Sequence, residues 1–379
     1  MSLLKLSIIM PVHNEEAYLL HTLETLSKQT NNKGMPLKPG TFQVVIVNNA
    51  STDKTGSILR KFTESNKSFT ITIIEKAEKS CVASRIIGYN FVINNPQFRT
   101  DILASADADI SFHPQWVNTI IEKYKHEHFD LLSNAGCFPL DFWKKVPNLV
   151  QKYLDEIGTI FFGDEVINWL GVKGKSFWFT EQVFFDFTRL ITDQCFAISR
   201  KTYESVGGYT LDFIDNKKKV EFTDEGGRLS AKIERTKAKI VYSNEAPYTA
   251  SARRVLNDPI KFLGGRLYDI GYMGKVFRST SDDKYKTLNE LALNADYTGI
   301  RKYIIKNYIL LKCITRPYLI LKNKHYFGNF YNELEIEIKQ WWIQKKQLEI
   351  GREAMEFAEQ LTDKYYSEIM ENLSKQIVT

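Results

Sequence analysis

Through the first third of the chain, short continuous apolar runs alternate with stretches whose apolar positions recur at helical spacing. Residues 6–12 (LSIIMPV) form a β-rich apolar run, and residues 15–28 then place Leu19, Leu20, Leu23 and Leu26 on one helical face. The same order predicts a strand over 42–48 (FQVVIVN) with a helix from Asp53, and a strand from Phe69 (FTITIIE) with a helix over about 81–94. A fourth strand from Asp101 (DILASAD) precedes a helix from Pro114 to about Lys125. Strands that are apolar at nearly every position are covered on both faces, which implies a mostly parallel sheet flanked by helices. In such sheets ligands bind beyond the carboxyl ends of the strands, so the residues just after each strand are the ones to read for chemistry.

The alternation fades beyond residue 130, and residues 134–190 are rich in aromatics, among them Phe142, Trp143, Phe161, Trp169 and Trp178. Strand and helix character returns from Asp193 to Tyr242, with glycine pairs at Gly207–Gly208 and Gly226–Gly227. After about residue 284 the chain turns Lys-, Glu- and Leu-rich, and Leu334, Ile338, Trp341, Leu348, Phe357 and Leu361 approximate one face of helix. The expected organisation is a domain over 1–255, divided at about residue 130 with the aromatic-rich insertion in its second half (131–255), followed by a mainly helical region over 256–379.

Composition narrows this picture without redirecting it. With 379 residues, 43% hydrophobic and 25% charged, the chain is an ordinary globular one with room for a large core. A net charge of +6 suits phosphate-bearing ligands and does not argue for nucleic acid. The four cysteines (81, 137, 195, 313) lie far apart with no CxxC spacing, which suggests neither zinc nor a disulfide framework and fits a reducing cytoplasm. The apolar stretch from Tyr303 is broken by Lys306, Lys312, Arg316 and Pro317, so no membrane span is expected. Together with Lys302, Lys322 and Lys324, those cations suggest peripheral contact of the C-terminal region with the anionic inner face of a membrane, against a plainer reading as a helical extension.

The sharpest chemical signal is ASADAD, where Asp107 and Asp109 stand one residue apart just after a buried strand. Two such carboxylates repel one another unless a cation joins them. A hard divalent ion, Mn2+ or Mg2+, takes oxygen ligands and bridges to diphosphate oxygens. Capping of the following helix is the plainer reading of the same residues.

With PVHNEE (11–16), VNNASTD (47–53), SCVASRIIG (80–88) and ASADAD (104–109) in that order, the sequence resembles the family 2 inverting glycosyltransferases of the GT-A fold, over roughly residues 5–255. The resemblance implies a metal-assisted hexosyltransferase acting on a UDP- or GDP-type nucleotide diphosphate sugar, with a sugar, lipid-linked or small-molecule acceptor. It puts Pro11, His13, Asn14 and Glu15 around the base and ribose, Asn49 and Ser51 beside the base, and Arg85 near the base or the diphosphate along with Asp107. Helix capping accounts for Glu15 and Asp53 equally well.

The second half resembles the acceptor side. TDQCFAISRKTYESVGGY from Thr192 offers Asp193 as an acceptor contact, and FTDEGG supplies an acidic pair. Asp224 is the first choice as the base that deprotonates the acceptor and Glu225 the second, because the inserted glycines allow two registers. Arg253 and Arg254 would clamp the departing diphosphate.

Two departures stand out: Asn48 and Asn49 replace an aspartate pair common in the family, and Ile86 replaces an asparagine. The nucleotide therefore stays open. The processive-synthase QxxRW signature is absent, which favours a single addition. A degenerate sugar-nucleotide binder and, more weakly, a nucleotidyltransferase are the competing readings. The latter lacks a Gly-rich basic loop at PVHNEEAYLL.

Overall fold

A computed structural model describes residues 5–138, 183–185, 195–215, 220–221, 225–251, 330–344 and 352–377, with single positions and short stretches between 253 and 314. The chain divides into two compact units: Met1–Phe138, Phe187–Phe213 and Thr223–Ser251 in one, Pro139–Asp186, Ile214–Phe222 and Ala252–Thr379 in the other.

The first unit carries the alternation read from the sequence: β1 (Leu6–Val12), α1 (Leu19–Ser27), β2 (Phe42–Asn49), α2 (Thr55–Ser65), β3 (Thr70–Lys76), α3 (Cys81–Asn94), β4 (Ile102–Ala106), β5 (Ser111–Phe112), α4 (Trp116–Glu127) and β6 (Leu131–Phe138). It is completed by β7 (Cys195–Ser199), α5 (Arg200–Ser205), α6 (Glu225–Glu234) and β8 (Ile240–Thr249). The strands lie in the order β3-β2-β1-β4-β7-β6-β8-β5. Strands β3, β2, β1 and β4 are parallel, as are β6 and β8. Strand β7 runs antiparallel to β4 and β6, and β5 antiparallel to β8. The result is the mixed, mostly parallel sheet flanked by helices that the alternation in the sequence implies.

Both faces of the sheet are covered, which is why the strands read as unbroken apolar runs. Ile8 and Met10 of β1 join Leu19, Leu23 and Trp116 in one core, while Ile9 between them joins Tyr89 and Val92 of α3 in the other. Helix α3 lies so close to β1 that a Cβ at Gly88 would sit 2.5 Å from Ile9 Cγ2. After α5 the chain turns through Gly207 (φ 74°) and Gly208 (φ 59°), and a side chain at Gly208 would meet the Tyr203 ring, itself stacked on Tyr89 of α3. The glycine pair thus brings the segment after β7 against α3.

Helices α1 and α2 begin later than the periodicity suggested, at Leu19 and Thr55. The residues before them are spent in loops: the Leu19 amide bonds to Glu15 O, and Asp53 Oδ1 accepts from the Thr55 amide.

The second unit contains α7 (Tyr331–Gln344) and α8 (Arg352–Ile377), helices that the sequence pattern anticipates. Trp341 stacks on Phe357 with centroids 5.3 Å apart and planes 2° from parallel, and the Trp342 indole donates to Ile314 O at 2.7 Å. Lys302 forms a 2.7 Å ion pair with Asp363. Lys306 is buried, and burial pushes its pKa down to about 8 although Glu359 and Asp363 pull the other way. Two of the cations expected to face a membrane are therefore engaged with acids of α8, a helix richer in Asp and Glu than in Lys and Arg. Arg316, Lys322 and Lys324 lie outside the described residues. Among the described residues no helix is long and apolar enough to cross a membrane.

Candidate functional site

The carboxyl ends of β1 and β2 are joined by a lattice of side-chain to backbone bonds. The Asn14 amide donates to Ser51 Oγ at 3.1 Å, and the Thr52 amide returns the contact to Asn14 Oδ1 at 2.8 Å. The Glu15 amide donates to Thr55 Oγ1 at 2.8 Å. Glu16 and Asp53 exchange bonds across the same gap: the Glu16 amide reaches Asp53 Oδ2, and the Lys54 amide reaches Glu16 Oε2. His13 Nδ1 lies 2.7 Å from Asn49 O, and Asn49 Oδ1 accepts from the Ser80 amide at the head of α3. Asn14 (φ 53°) and Ala50 (φ 55°) hold left-handed backbone conformations here, a strain of about 1–3 kcal/mol each that is found where a backbone must be shaped for a task. Partial burial pushes the Asp53 carboxyl up, but hydrogen bonds from Thr55 and from the Glu16 amide outweigh it and hold the group below its usual range.

The end of β4 is held differently. Arg85 of α3 is 3% exposed and its guanidinium meets three partners: Nη2 donates to Asp107 Oδ1 at 2.7 Å, Nη1 to Ser105 Oγ at 2.5 Å, and Nε to Glu225 Oε1 at 3.2 Å. Asp107 remains partly exposed, and Arg85 takes only one of its oxygens. Glu225 opens α6 and is 4% exposed, with the Cys81 thiol 3.7 Å from the same Oε1. Beneath the site, burial and the nearby Asp107 charge push the Cys195 thiol well above its ordinary value, so it stays neutral.

The donor set suits a hard divalent cation: Asp107 and Asp109 are both partly exposed carboxylates at the end of a buried strand. Among the described residues no group of three or more His, Cys, Asp and Glu side chains is gathered to hold a metal ion. A cation here would take two carboxylates from this motif and complete its shell with diphosphate oxygens and water, the usual habit of Mg2+ beside phosphates.

Residues 7–159 match the family described as Glycosyl transferase family 2. This segment is similar to family 2 glycosyltransferase domains. Among similar proteins, the glycosyltransferase AglE of Haloferax volcanii is 29% identical over 126 residues, 33% of this chain and 37% of that protein. The probable glycosyltransferase YdaM of Bacillus subtilis is 25% identical over 207 residues, 54% of this chain and 43% of that one. The chain thus spans less than half the length of these relatives. The mannosyltransferase PcManGT of Pyrobaculum calidifontis, solved with GDP-Man and Mn2+, superposes with a TM-score of 0.45 at 13% identity, covering 97% of this chain and 87% of that one.

Within the first unit the described residues read from the sequence fall into two groups. Pro11, His13, Asn14, Glu15, Asn49 and Ser51 gather at the ends of β1 and β2, and Arg85, Asp107, Asp109 and Glu225 at the end of β4 and the starts of α3 and α6. For two of them the structure gives a different setting from the one expected. The Arg85 guanidinium is buried and occupied by protein partners, so it stands as a brace and not as an open ligand for a base or diphosphate. The Glu225 carboxylate is buried and ion-paired, which does not suit a base that must meet an acceptor hydroxyl. Arg253 belongs to the C-terminal unit. Asp193, Asp224 and Arg254 lie outside the described residues. Ser105 and Thr55, which hold Arg85 and the Glu15 amide, are sites that sequence reading missed: small hydroxyls beside conspicuous motifs carry no pattern of their own.

Proposed function

We propose that the protein is an inverting glycosyltransferase that moves one sugar from a nucleotide diphosphate sugar to an acceptor hydroxyl, assisted by Mn2+ or Mg2+. The observation that carries this is Asp107, held at the end of β4 by a buried arginine while its second oxygen stays uncommitted, with Asp109 one residue on. When bound, the cation would neutralise charge developing on the leaving diphosphate. The braced loops after β1 and β2, with Pro11, His13, Asn14, Glu15, Asn49 and Ser51, frame the nucleoside of a UDP- or GDP-type donor. Their side chains shape the backbone there, and the backbone offers the contacts.

On the acceptor side, Asp224 takes the proton from the acceptor hydroxyl as its oxygen bonds to the anomeric carbon and the bond to the diphosphate breaks. One displacement gives inversion. The burial of Glu225 favours Asp224 for this role. Asp193 contacts the acceptor, and Arg253 with Arg254 meets the departing diphosphate. The enzyme works in the cytoplasm.

Titration calorimetry with UDP and GDP, with and without Mn2+, tests the donor side: Asp109→Ala should abolish the Mn2+-dependent part of binding. The same affinity gain from Mn2+ in that variant would remove the assignment. Asp224→Asn should keep donor affinity while turnover falls by roughly a hundredfold or more. Full turnover in that variant would take the base role from Asp224.

A further inference from the structure

We infer that Glu225 works on the donor side, as the counter-charge that lets Arg85 hold Asp107 without weakening the hold of Asp107 on a divalent cation. The inference rests on the metal-assisted reading above and assigns Glu225 a role distinct from that of a base.

The problem it answers is electrostatic. A buried guanidinium 2.7 Å from a carboxylate fixes that carboxylate in place, but it also supplies the carboxylate with a cation of its own. An incoming divalent ion would then meet Asp107 half neutralised and would be repelled by Arg85 at short range. Glu225 accepts from the guanidinium Nε at 3.2 Å and is itself 4% exposed, so the two charges are little screened by water. Arg85 and Glu225 together are close to neutral. More of the Asp107 charge is then left for the cation. The third arm of the guanidinium goes to Ser105, a neutral hydroxyl that orients without changing the balance.

Burial supports the same conclusion. An unpaired carboxylate at this depth would be expensive to hold, and the pair is tolerable because each charge compensates the other. Glu225 heads α6, where the helix N-terminus adds a second favourable field for a negative charge. The residue is thus held beside Arg85, and its influence on the reaction passes through Arg85 to Asp107. It is a positioning residue.

The test compares wild type with Glu225→Gln and with the double variant Arg85→Gln/Glu225→Gln, by calorimetry of UDP and GDP over a Mn2+ series and by direct Mn2+ titration followed by electron paramagnetic resonance. Glu225→Gln should weaken the Mn2+-linked affinity by roughly tenfold or more while leaving metal-free nucleotide binding unchanged. The double variant, which removes both charges, should regain most of that loss. In turnover assays Glu225→Gln should recover at high Mn2+, whereas loss of a base persists at every metal concentration. Unchanged Mn2+ linkage in Glu225→Gln overturns the inference, and so does a double variant as weak as the single one, which would make the role purely structural. If Glu225→Gln fails to fold, the double variant decides alone: it must bind Mn2+ and nucleotide nearly as wild type does. Wild-type nucleotide binding that ignores metal would sink the metal-assisted reading itself, an outcome separate from all of these.

Discussion

The ends of β1 and β2 and the end of β4 lie along the same edge of one sheet, yet they are held by different chemistry. At β1 and β2 most of the bonds run from backbone amides to polar side chains, several in parallel, and four of them lie at positions that water can reach. At β4 one buried guanidinium holds two carboxylates and a hydroxyl. A neutral bond of the first kind contributes about 1 kcal/mol net, and its neighbours share the load when it is lost. Removing one member of a buried ion pair strands the other charge and costs about 3–5 kcal/mol. The nucleotide loops are therefore redundantly braced, whereas at β4 the balance of buried charge gathers on one guanidinium.

The strongest way to break this contrast is Arg85→Met. Loss of the guanidinium removes a buried ion-pair partner from Glu225 and Asp107, and denaturant unfolding should show a drop of about 3–5 kcal/mol. A drop under about 1 kcal/mol, the scale of a single neutral bond, would erase the difference between the two regions.

Next in size is Gly88→Ala. Helix α3 carries Arg85, and its depth on β1 sets where the guanidinium lies, so a methyl forced against Ile9 should cost about 1–3 kcal/mol. It should also weaken Mn2+-linked nucleotide binding. A stable variant with unaltered metal linkage would show that Arg85 finds its place independently of helix depth.

On the β1–β2 side, Ala50→Gly should relieve the left-handed strain and raise stability by about 0.5–1 kcal/mol. Donor affinity should fall at the same time if the strained backbone is what the nucleoside meets. Thermal unfolding with and without nucleotide measures both.

The smallest effect is the acid response of Asp53. Its folded pKa lies below the ordinary value of 3.8, so its contribution is complete above that value and is lost as pH falls through the folded one. Asp53→Asn should flatten the stability profile of the loops between about pH 5 and pH 3. Identical acid profiles for the two proteins would mean that Asp53 braces nothing in solution.

Much of this was legible in the chain itself. The strands β1 to β4, the helices between them, the paired aspartates after β4 and the two C-terminal helices all follow from local periodicity and from residue types at strand ends. A period of two or of 3.6 is written in neighbouring positions. Even the late start of α1 and α2 has a local cause, since Asp53 and Glu15 serve the loops before the helices.

What only tertiary structure decided is which charge meets which. Arg85 and Glu225 are 140 positions apart, and they pair because α3 and the start of α6 are brought together at the end of β4. Lys302 and Asp363, 61 positions apart, meet in an exposed ion pair that the sequence does not announce. A charged residue shows its type in the sequence but not its partner, because electrostatic partners are fixed by distance in space, and that distance is set by how helices pack on a sheet. The sequence by itself determined the first four strands, the helices that follow them and the carboxylates at the sheet's edge. The packing of α3 and α6 decided that one of the acids expected to act on the acceptor is instead bound to Arg85.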